Sequence, residues 1–222
     1  ALGLAEAGAD VVITYNSSAG PAEEVVAEIE AMGRRGLALQ ADFSQSAQMV
    51  PLVEQIVTSM GSLDILVNSA AIFQHGDWDD TTEKNWDMHF AINLKAPFFL
   101  SQAFAKGVKE AGHRGQIVNI ADWRAVRPGS DHVAYTLTKA GLVAMTKSLA
   151  LALAPEVQVN AIAPGLILPP PGADDDFVER KAAEIPIRRP GSPQAVVDAV
   201  RYLVSSDFVT GELVFVTGGE HL

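Results

Sequence analysis

The 222-residue sequence contains no cysteine, no cluster of basic residues and no apolar run of membrane-spanning length. The absence of cysteine excludes disulfides, cysteine nucleophiles and thiolate metal sites. A net charge of −11 without a Lys/Arg cluster argues against nucleic acid as a partner. The longest apolar stretch, 142–154, contains Lys147 and stops at Pro155, so we expect no membrane partner. The first residues have no basic region like that of a signal peptide, and we expect a cytoplasmic protein.

Histidine is scattered, at positions 75, 89, 113, 132 and 221. No pair of these residues has metal-ligand spacing with carboxylates on a predicted face, so we expect no metal site. His132 either contacts a pocket beside Tyr135 or lies at the surface, and we expect the surface role.

What the sequence does contain is an alternation of apolar runs and amphipathic segments, with 48% hydrophobic residues. Continuous apolar strands separated by helices are typical of a parallel sheet buried on both faces. Right-handed crossovers then predict one α/β domain over residues 1–222, with a Rossmann-type doubly wound parallel sheet. The predicted strands are 11–15, 37–40, 63–67, 116–120, 157–163 and 213–216. The predicted helices are 21–32, 45–60, 82–109, 133–154 and 192–204.

The start of the sequence lacks a feature that such a sheet needs for a dinucleotide. A Rossmann-type domain begins with a strand and a Gly-rich turn that leads into a helix N-terminus. Residues 1–8 look like the back half of that helix and lead directly into the strand at 11–15. We therefore expect that the domain is N-terminally truncated in this sequence, without its first strand and Gly-rich loop.

Tyr135 and Lys139 lie four residues apart on a predicted helix, which places them on one face, one turn apart. A free tyrosine has a pKa of about 10, and a nearby cation favours the phenolate and lowers that pKa. The pair is therefore a candidate general acid for the reduction of a carbonyl or an imine. Such a pair on an exposed helix face is more often merely solvated, so its interpretation depends on the surrounding motifs.

Those motifs lie where the predicted strands end, which is where such sheets collect catalytic and cofactor groups. Asn68-Ser69-Ala70-Ala71 ends one strand, Asn93 lies in the following long helix, and Pro164-Gly165 ends a later strand. Together with Tyr135 and Lys139 they resemble the short-chain dehydrogenase/reductase family over the whole chain. The resemblance implies that Tyr135 is the proton donor, that Lys139 holds the nicotinamide ribose, and that Asn93 anchors a proton-relay water.

The resemblance also implies a nicotinamide dinucleotide as cofactor. Asp42 matches the position that meets the adenine, and Ile167 is expected to offer its backbone to the carboxamide. The cofactor-binding residues implied are Asn16, Ser17, Ser18, Asp42, Phe43, Asn68, Ser69, Ala70, Tyr135, Lys139, Pro164, Gly165 and Ile167. The strand at 11–15 ends without an acid for the ribose 2′-hydroxyl, so we expect NADP(H) rather than NAD(H), although no Arg or Lys is present there either.

Asp122 is the main departure from the family pattern, because the family's serine stands thirteen positions before its tyrosine. A serine hydroxyl can hydrogen-bond a developing alkoxide, whereas a carboxylate only accepts and would repel that charge. An aspartate suits a substrate that presents N–H donors, such as a nitrogen heterocycle with a C=N bond. The alternative is a family member that has lost its carbonyl-reducing activity.

The pteridine reductase branch of the family carries an aspartate at this position, and this sequence resembles that branch elsewhere. Phe73 matches the aromatic residue that stacks on the pterin, although packing in the core is an equal alternative. Residues 153–160, 166–168, 208–211 and 218–222 resemble bacterial dihydromonapterin reductases. Trp123 either lines the substrate pocket or packs beside it.

The sequence therefore predicts an NADPH-dependent reductase of a pterin-like C=N bond. The predicted catalytic residues are Tyr135, Lys139, Asp122 and Asn93, and the predicted substrate residues are Phe73, Asp122, Trp123 and Tyr135. Two alternatives stay open: a carbonyl, 3-oxoacyl or alcohol oxidoreductase of the same family, and a non-catalytic nucleotide-binding sensor. Residues 169–176 are either a surface loop or a lid. The long helices predict a homodimer or homotetramer.

Overall fold

The computed structural model describes residues 1–169, 172, 174 and 176–222. Its strands are β1 (Val11–Tyr15), β2 (Gly36–Gln40), β3 (Ile65–Asn68), β4 (Gly115–Ile120), β5 (Val157–Pro164) and β6 (Leu213–Val216). Its α-helices are α1 (Leu2–Glu6), α2 (Ala19–Ala31), α3 (Met49–Met60), α4 (Glu83–Phe90), α5 (Ala96–Ala111), α6 (Val133–Leu153), α7 (Phe177–Glu184) and α8 (Pro193–Ser205).

All strand pairs in the described residues are parallel, which confirms the predicted α/β class. The strands form two hydrogen-bonded groups, β1-β2 and β3-β4-β5-β6. The expectation of a further strand and a Gly-rich turn before residue 1 stays a prediction.

The central strands bury both of their faces, because helices cover the sheet on each side. Ile117 and Val159 pack with Phe104 of α5 on one face. Val118 and Ile162 pack with Leu203 of α8 on the other. Both sets of side chains are almost fully buried, which explains why consecutive residues such as Ile117-Val118 in β4 and Ala161-Ile162-Ala163 in β5 are apolar without alternation.

Local signals fix several helix ends. The Thr82 hydroxyl accepts from the Asn85 N–H at the start of α4, at 3.1 Å. Ser192 caps α8, where Pro193 occupies the first turn. Gly112 ends α5 in the left-handed region, with φ of 70°.

Most predicted elements are present within a few residues, but the predicted helix 82–109 contains an irregularity. A π-helical turn, Ala91–Lys95, separates α4 from α5. Helix α7 was not predicted. The predicted loop or lid at 169–176 falls partly on Pro170, Pro171, Ala173 and Asp175, which lie outside the described residues.

Candidate active site

Tyr135 and Lys139 lie on the first turns of α6, where it faces the carboxyl end of β4. Both side chains are buried, with 7% and 3% of their surfaces exposed. The Lys139 ammonium donates to the backbone oxygen of Ile120 at 2.7 Å. It lies 5.6 Å from the centroid of the Tyr135 ring. The four-residue spacing thus places the pair on one buried face, which rules out a merely solvated pair.

Asp122 follows β4 directly, and both of its carboxylate oxygens accept hydrogen bonds. Oδ1 accepts from the Arg124 backbone N–H at 2.8 Å and so caps the short 3-10 helix Trp123–Ala125. Oδ2 accepts from the Tyr135 hydroxyl at 2.8 Å. The thirteen-residue separation in sequence becomes a direct contact between the carboxylate and the phenol.

This contact changes the electrostatics that the tyrosine–lysine spacing predicts. The pKa of Tyr135 is raised well above its usual value, first by burial and then by the charge and hydrogen bond of Asp122. Only Arg124 acts in the opposite direction. The expectation that Lys139 lowers the pKa of the tyrosine is therefore wrong for this arrangement. The phenol stays protonated at neutral pH.

Burial also changes the pKa of Lys139. Desolvation lowers the pKa of the ammonium from 10.5 to about 8, while the charge of Asp122 partly opposes that shift. A lysine with this pKa changes protonation close to neutral pH.

Asn93 lies in the π-helical turn and is fully buried. Its Oδ1 accepts from the Ile72 N–H at 2.9 Å, and its Nδ2 donates to the Ile72 backbone oxygen at 3.0 Å. Nδ2 also lies 3.3 Å from the Thr138 hydroxyl of α6. The amide therefore joins the loop after β3 to the helix that carries Tyr135.

Phe73 belongs to that loop, and its ring stands beside Tyr135. The two centroids lie 4.7 Å apart in an edge-on arrangement. Half of the Phe73 surface is exposed, which excludes the alternative of plain core packing. One face of the ring stacks on His132 at 4.1 Å, with 3° between the planes.

His132 was expected at the surface, and that expectation is wrong. Its side chain is only 16% exposed, because it stacks on Phe73 and lies 2.9 Å from the Asp131 carboxylate. Arg124 holds the same carboxylate at 2.7 Å and keeps the pKa of Asp131 well below its usual range.

The Arg124 guanidinium also lies 5.7 Å from the Trp123 ring. Trp123 is partly buried and packs in this same group.

The predicted cofactor residues lie where β1, β2, β3 and β5 end. Asn16, Ser17 and Ser18 are exposed after β1, while Asp42 forms a turn after β2 in which Oδ1 accepts from the Ser44 N–H at 2.9 Å. Phe43, next to that turn, packs against the core between α3 and α5. These groups occupy the edge of the sheet at which α/β folds bind ligands.

Asn68 is the buried polar group at that edge. Its Nδ2 donates to Asn119 Oδ1 at 2.8 Å. Within the described part of the chain its Oδ1 has no protein partner. Ser69 and Ala70 follow it in exposed positions, and Pro164, Gly165 and Ile167 are partly exposed after β5. A buried, unpartnered acceptor beside these exposed residues fits a ligand that donates a hydrogen bond.

Two groups in this region, Glu220 and Arg127, were not predicted from the sequence. Glu220 lies after β6, and its Oε2 accepts from the Leu166 N–H at 3.0 Å. Arg127 donates from Nη1 to the Glu220 backbone oxygen at 3.0 Å. The rule that polar groups collect after each parallel strand could have identified Glu220, whereas no local signal identifies Arg127.

Two further features are absent from the described ranges. There, no three His, Asp or Glu side chains are grouped as metal ligands would be. No helix there has the length and apolar character needed to span a bilayer.

A buried tyrosine and lysine, at the carboxyl ends of parallel strands that helices cover on both faces, define a Rossmann-type oxidoreductase site. The chain matches the family model described as enoyl-(acyl carrier protein) reductase over residues 1–221. With this match and the relatives below, the chain belongs to the short-chain dehydrogenase/reductase family of oxidoreductases.

Three relatives show the breadth of this family. The chain is 37% identical over 226 residues to 2-dehydro-3-deoxy-D-gluconate 5-dehydrogenase of Dickeya dadantii, covering 99% of this chain and 88% of the relative. It is 31% identical to a 3-oxoacyl-[acyl-carrier-protein] reductase of Staphylococcus epidermidis, covering 100% and 93%. Among solved structures, FolM alternative dihydrofolate reductase 1 of Brucella canis, complexed with NADP, matches with a TM-score of 0.92. It is 34% identical, with 99% of this chain and 87% of that chain covered.

Proposed function

We propose that this protein is an NADPH-dependent reductase of a C=N bond in a pterin-like heterocycle. The observation that carries the proposal is the hydrogen bond from the Tyr135 hydroxyl to Asp122 Oδ2, at 2.8 Å. A carboxylate at this point favours a substrate that presents N–H groups and disfavours one that develops an alkoxide.

Each residue of the site has a separate proposed role. When bound, the cofactor supplies a hydride to the substrate. Tyr135 holds a proton at its phenol oxygen, and the raised pKa keeps that proton in place until a basic substrate atom approaches. Asp122 accepts an N–H of the substrate and orients the tyrosine. Lys139, with a pKa lowered to about 8, balances the charge of the partly buried Asp122 carboxylate.

We propose that the substrate lies beside Phe73. His132 covers one face of the ring, and half of the phenylalanine surface is exposed. A planar heterocycle can stack on the other face, since aromatic rings favour offset or edge-on contacts at 4.5–7 Å. Trp123 is proposed to line the substrate site on another side.

NADP(H) is proposed as the cofactor because β1 ends in Asn16, Ser17 and Ser18, without an acid that would repel a 2′-phosphate. The Brucella canis relative was crystallised with NADP, which supports the choice. Asp42 and Phe43 after β2 are proposed to border the adenine. Asn68, Ser69 and Ala70 after β3, with Pro164, Gly165 and Ile167 after β5, are proposed to line the dinucleotide.

The second candidate is a carbonyl or alcohol oxidoreductase. Relatives named as a sugar-acid dehydrogenase and a 3-oxoacyl reductase favour it, and both match nearly the whole chain. An oxidoreductase of this kind would reduce a C=O bond to an alcohol, or oxidise an alcohol to a carbonyl, with Tyr135 and Lys139 in the same roles. A non-catalytic sensor is disfavoured, because Tyr135, Lys139 and Asn93 are all in place and buried.

The test measures NADPH consumption with a dihydropterin and with a 3-oxoacyl thioester and, in parallel, NADP⁺ reduction with a 2-dehydro-3-deoxy sugar acid. Turnover of the dihydropterin alone, or at least tenfold faster in kcat/KM, supports the proposal. Turnover confined to the thioester or the sugar acid would assign the protein to the second candidate. NADPH binding without turnover of any of the three would favour the sensor.

We further propose a cytoplasmic homodimer or homotetramer assembled through α5 and α6. Phe98, Leu137 and Leu151 are apolar side chains on these helices with 37%, 45% and 85% of their surfaces exposed. Burial of such side chains is the usual driving force for symmetric assembly. Light scattering should give the mass of a dimer or tetramer, and a monomer would contradict this proposal.

A further inference from the structure

The residues after β6, 217–222, are called the C-terminal segment here, and they pack against the loop that follows β5. The Glu220 carboxylate accepts from the Leu166 N–H at 3.0 Å. A side chain at Gly165 would collide with that same carboxylate oxygen and would lie 3.0 Å from the Thr217 Cα. Gly165 is therefore required for the close approach of the two segments.

Further contacts fix the same peptide. The Leu166 backbone oxygen accepts from the Gly191 N–H at 2.9 Å, so both polar groups of Leu166 are bound within the protein. Arg127, in the loop after β4, donates to the Glu220 backbone oxygen at 3.0 Å. The C-terminal segment thus joins the loop that follows Asp122 to the loop that follows β5.

Glu220 is not an ordinary solvated carboxylate. Its side chain is partly buried, and burial raises its pKa above the usual value; the hydrogen bond from the Leu166 N–H opposes that shift, and the charge of Asp122 adds to it. A carboxylate retained in such surroundings has a structural or functional reason to be there.

We infer that Glu220 is a positioning residue that fixes the Leu166 peptide, and through it the Ile167 backbone, at the nicotinamide end of the cofactor site. The inference rests on the proposed function, which places the dinucleotide along this edge of the sheet. The adenine half of the cofactor would lie after β1 and β2, which belong to the other hydrogen-bonded group of strands. Loss of Glu220 should therefore weaken binding of only one half of the cofactor.

The experiment compares two ligands by calorimetry on the full-length gene product. NADP⁺ contains the nicotinamide, whereas 2′,5′-ADP lacks it. Glu220→Ala should raise the Kd for NADP⁺ about tenfold, the typical effect of losing one hydrogen bond to a charged group. The Kd for 2′,5′-ADP should stay within about twofold of the wild-type value. Glu220→Gln should retain most of the NADP⁺ affinity, because its amide oxygen can accept from Leu166.

Two further variants keep the test decisive. Arg127→Ala should weaken the binding of NADP⁺ but not that of 2′,5′-ADP, and it leaves the Glu220 carboxylate itself unchanged. Glu212→Ala is the matched control, because Glu212 is an exposed carboxylate near β6 whose side chain makes no hydrogen bond to the described residues.

The possible results separate the inference from the function on which it rests. If Glu220→Ala weakened the binding of both ligands equally, or of neither, the positioning role would be overturned while the proposed cofactor would stand. A wild-type protein that binds neither ligand would overturn the proposed cofactor and the positioning role together.

Discussion

Replacement of Asp122 by serine restores the residue type that the family pattern has at this position, so it isolates the effect of the carboxylate. The wild-type contact is a 2.8 Å hydrogen bond between the Tyr135 hydroxyl and a charged acceptor. Such bonds contribute about 1.5–3 kcal/mol, which corresponds to roughly 10-fold to 150-fold in rate or affinity. We expect kcat/KM for a dihydropterin to fall by that factor in Asp122→Ser, and turnover of a ketone to rise.

The same variant should change the titration of the tyrosine. Two of the three causes that raise the pKa of Tyr135 come from Asp122, and burial is the remaining one. The pKa should therefore fall in Asp122→Ser. Absorbance at the tyrosinate band measures it, with Tyr135→Phe subtracting the two other tyrosines of the chain.

The control variants separate chemistry from folding. Serine can still cap the 3-10 helix Trp123–Ala125, so the fold should persist. Asp122→Asn keeps an acceptor but removes the charge and should lie between wild type and serine. Asp207→Ser changes an exposed carboxylate away from the site and should have no effect. Unchanged dihydropterin turnover in Asp122→Ser, with an unchanged tyrosine titration, would refute the reasoning.

Three further predictions concern stability and cofactor choice. Asn160→Ala should lower the free energy of unfolding by about 2–3 kcal/mol, because the Val209 carbonyl and the Glu212 N–H lose their bonds of 2.8 and 3.0 Å; an unchanged urea midpoint would contradict it. The folded-state pKa of Lys139 is lowered to about 8 from 10.5, so the unfolded chain binds more protons between these values and stability should rise with pH across this window. Relative to Lys139→Met, the wild type should gain up to about 3 kcal/mol between pH 7 and pH 10.5 in urea titrations, and a constant difference would disprove it. Ser17→Asp should raise the KM for NADPH at least tenfold while leaving the KM for NADH nearly unchanged, and an unchanged KM for NADPH would contradict a 2′-phosphate site at the end of β1.

The architecture was predictable from the sequence because it is determined by which strands are buried on both faces. Strands β4 and β5 are apolar on both faces, and that pattern alone indicates a parallel sheet between helices. The π-helical turn at Ala91–Lys95 was not predicted, since a single extra residue in a helical turn leaves the hydrophobic periodicity nearly unchanged. Helix α7 was missed because its short, charged sequence follows a proline-rich stretch.

The candidate site was predictable where one helix or one strand end sets the geometry. The four-residue spacing of Tyr135 and Lys139 is a property of one helix, so it predicted that both side chains lie on one face. The structure buries both of them there. The role of His132 depends on Phe73 and Asp131, which meet it only in the folded chain. The pKa of Tyr135 was predicted with the wrong sign, because its burial and its distance to Asp122 are tertiary quantities.

The relatives and the site constrain the function at different levels. Identities of 31–37% to sugar-acid and acyl-thioester enzymes fix the family and the scaffold of this chain. They do not select the bond that is reduced, because that choice depends on the charge next to the substrate atom that receives the proton. In this chain that charge belongs to Asp122, whose carboxylate lies 2.8 Å from the tyrosine hydroxyl. A developing alkoxide would meet a partly buried negative charge there, whereas an N–H group would meet an acceptor, and on this ground we propose a nitrogen heterocycle as the substrate on a scaffold shared with carbonyl reductases.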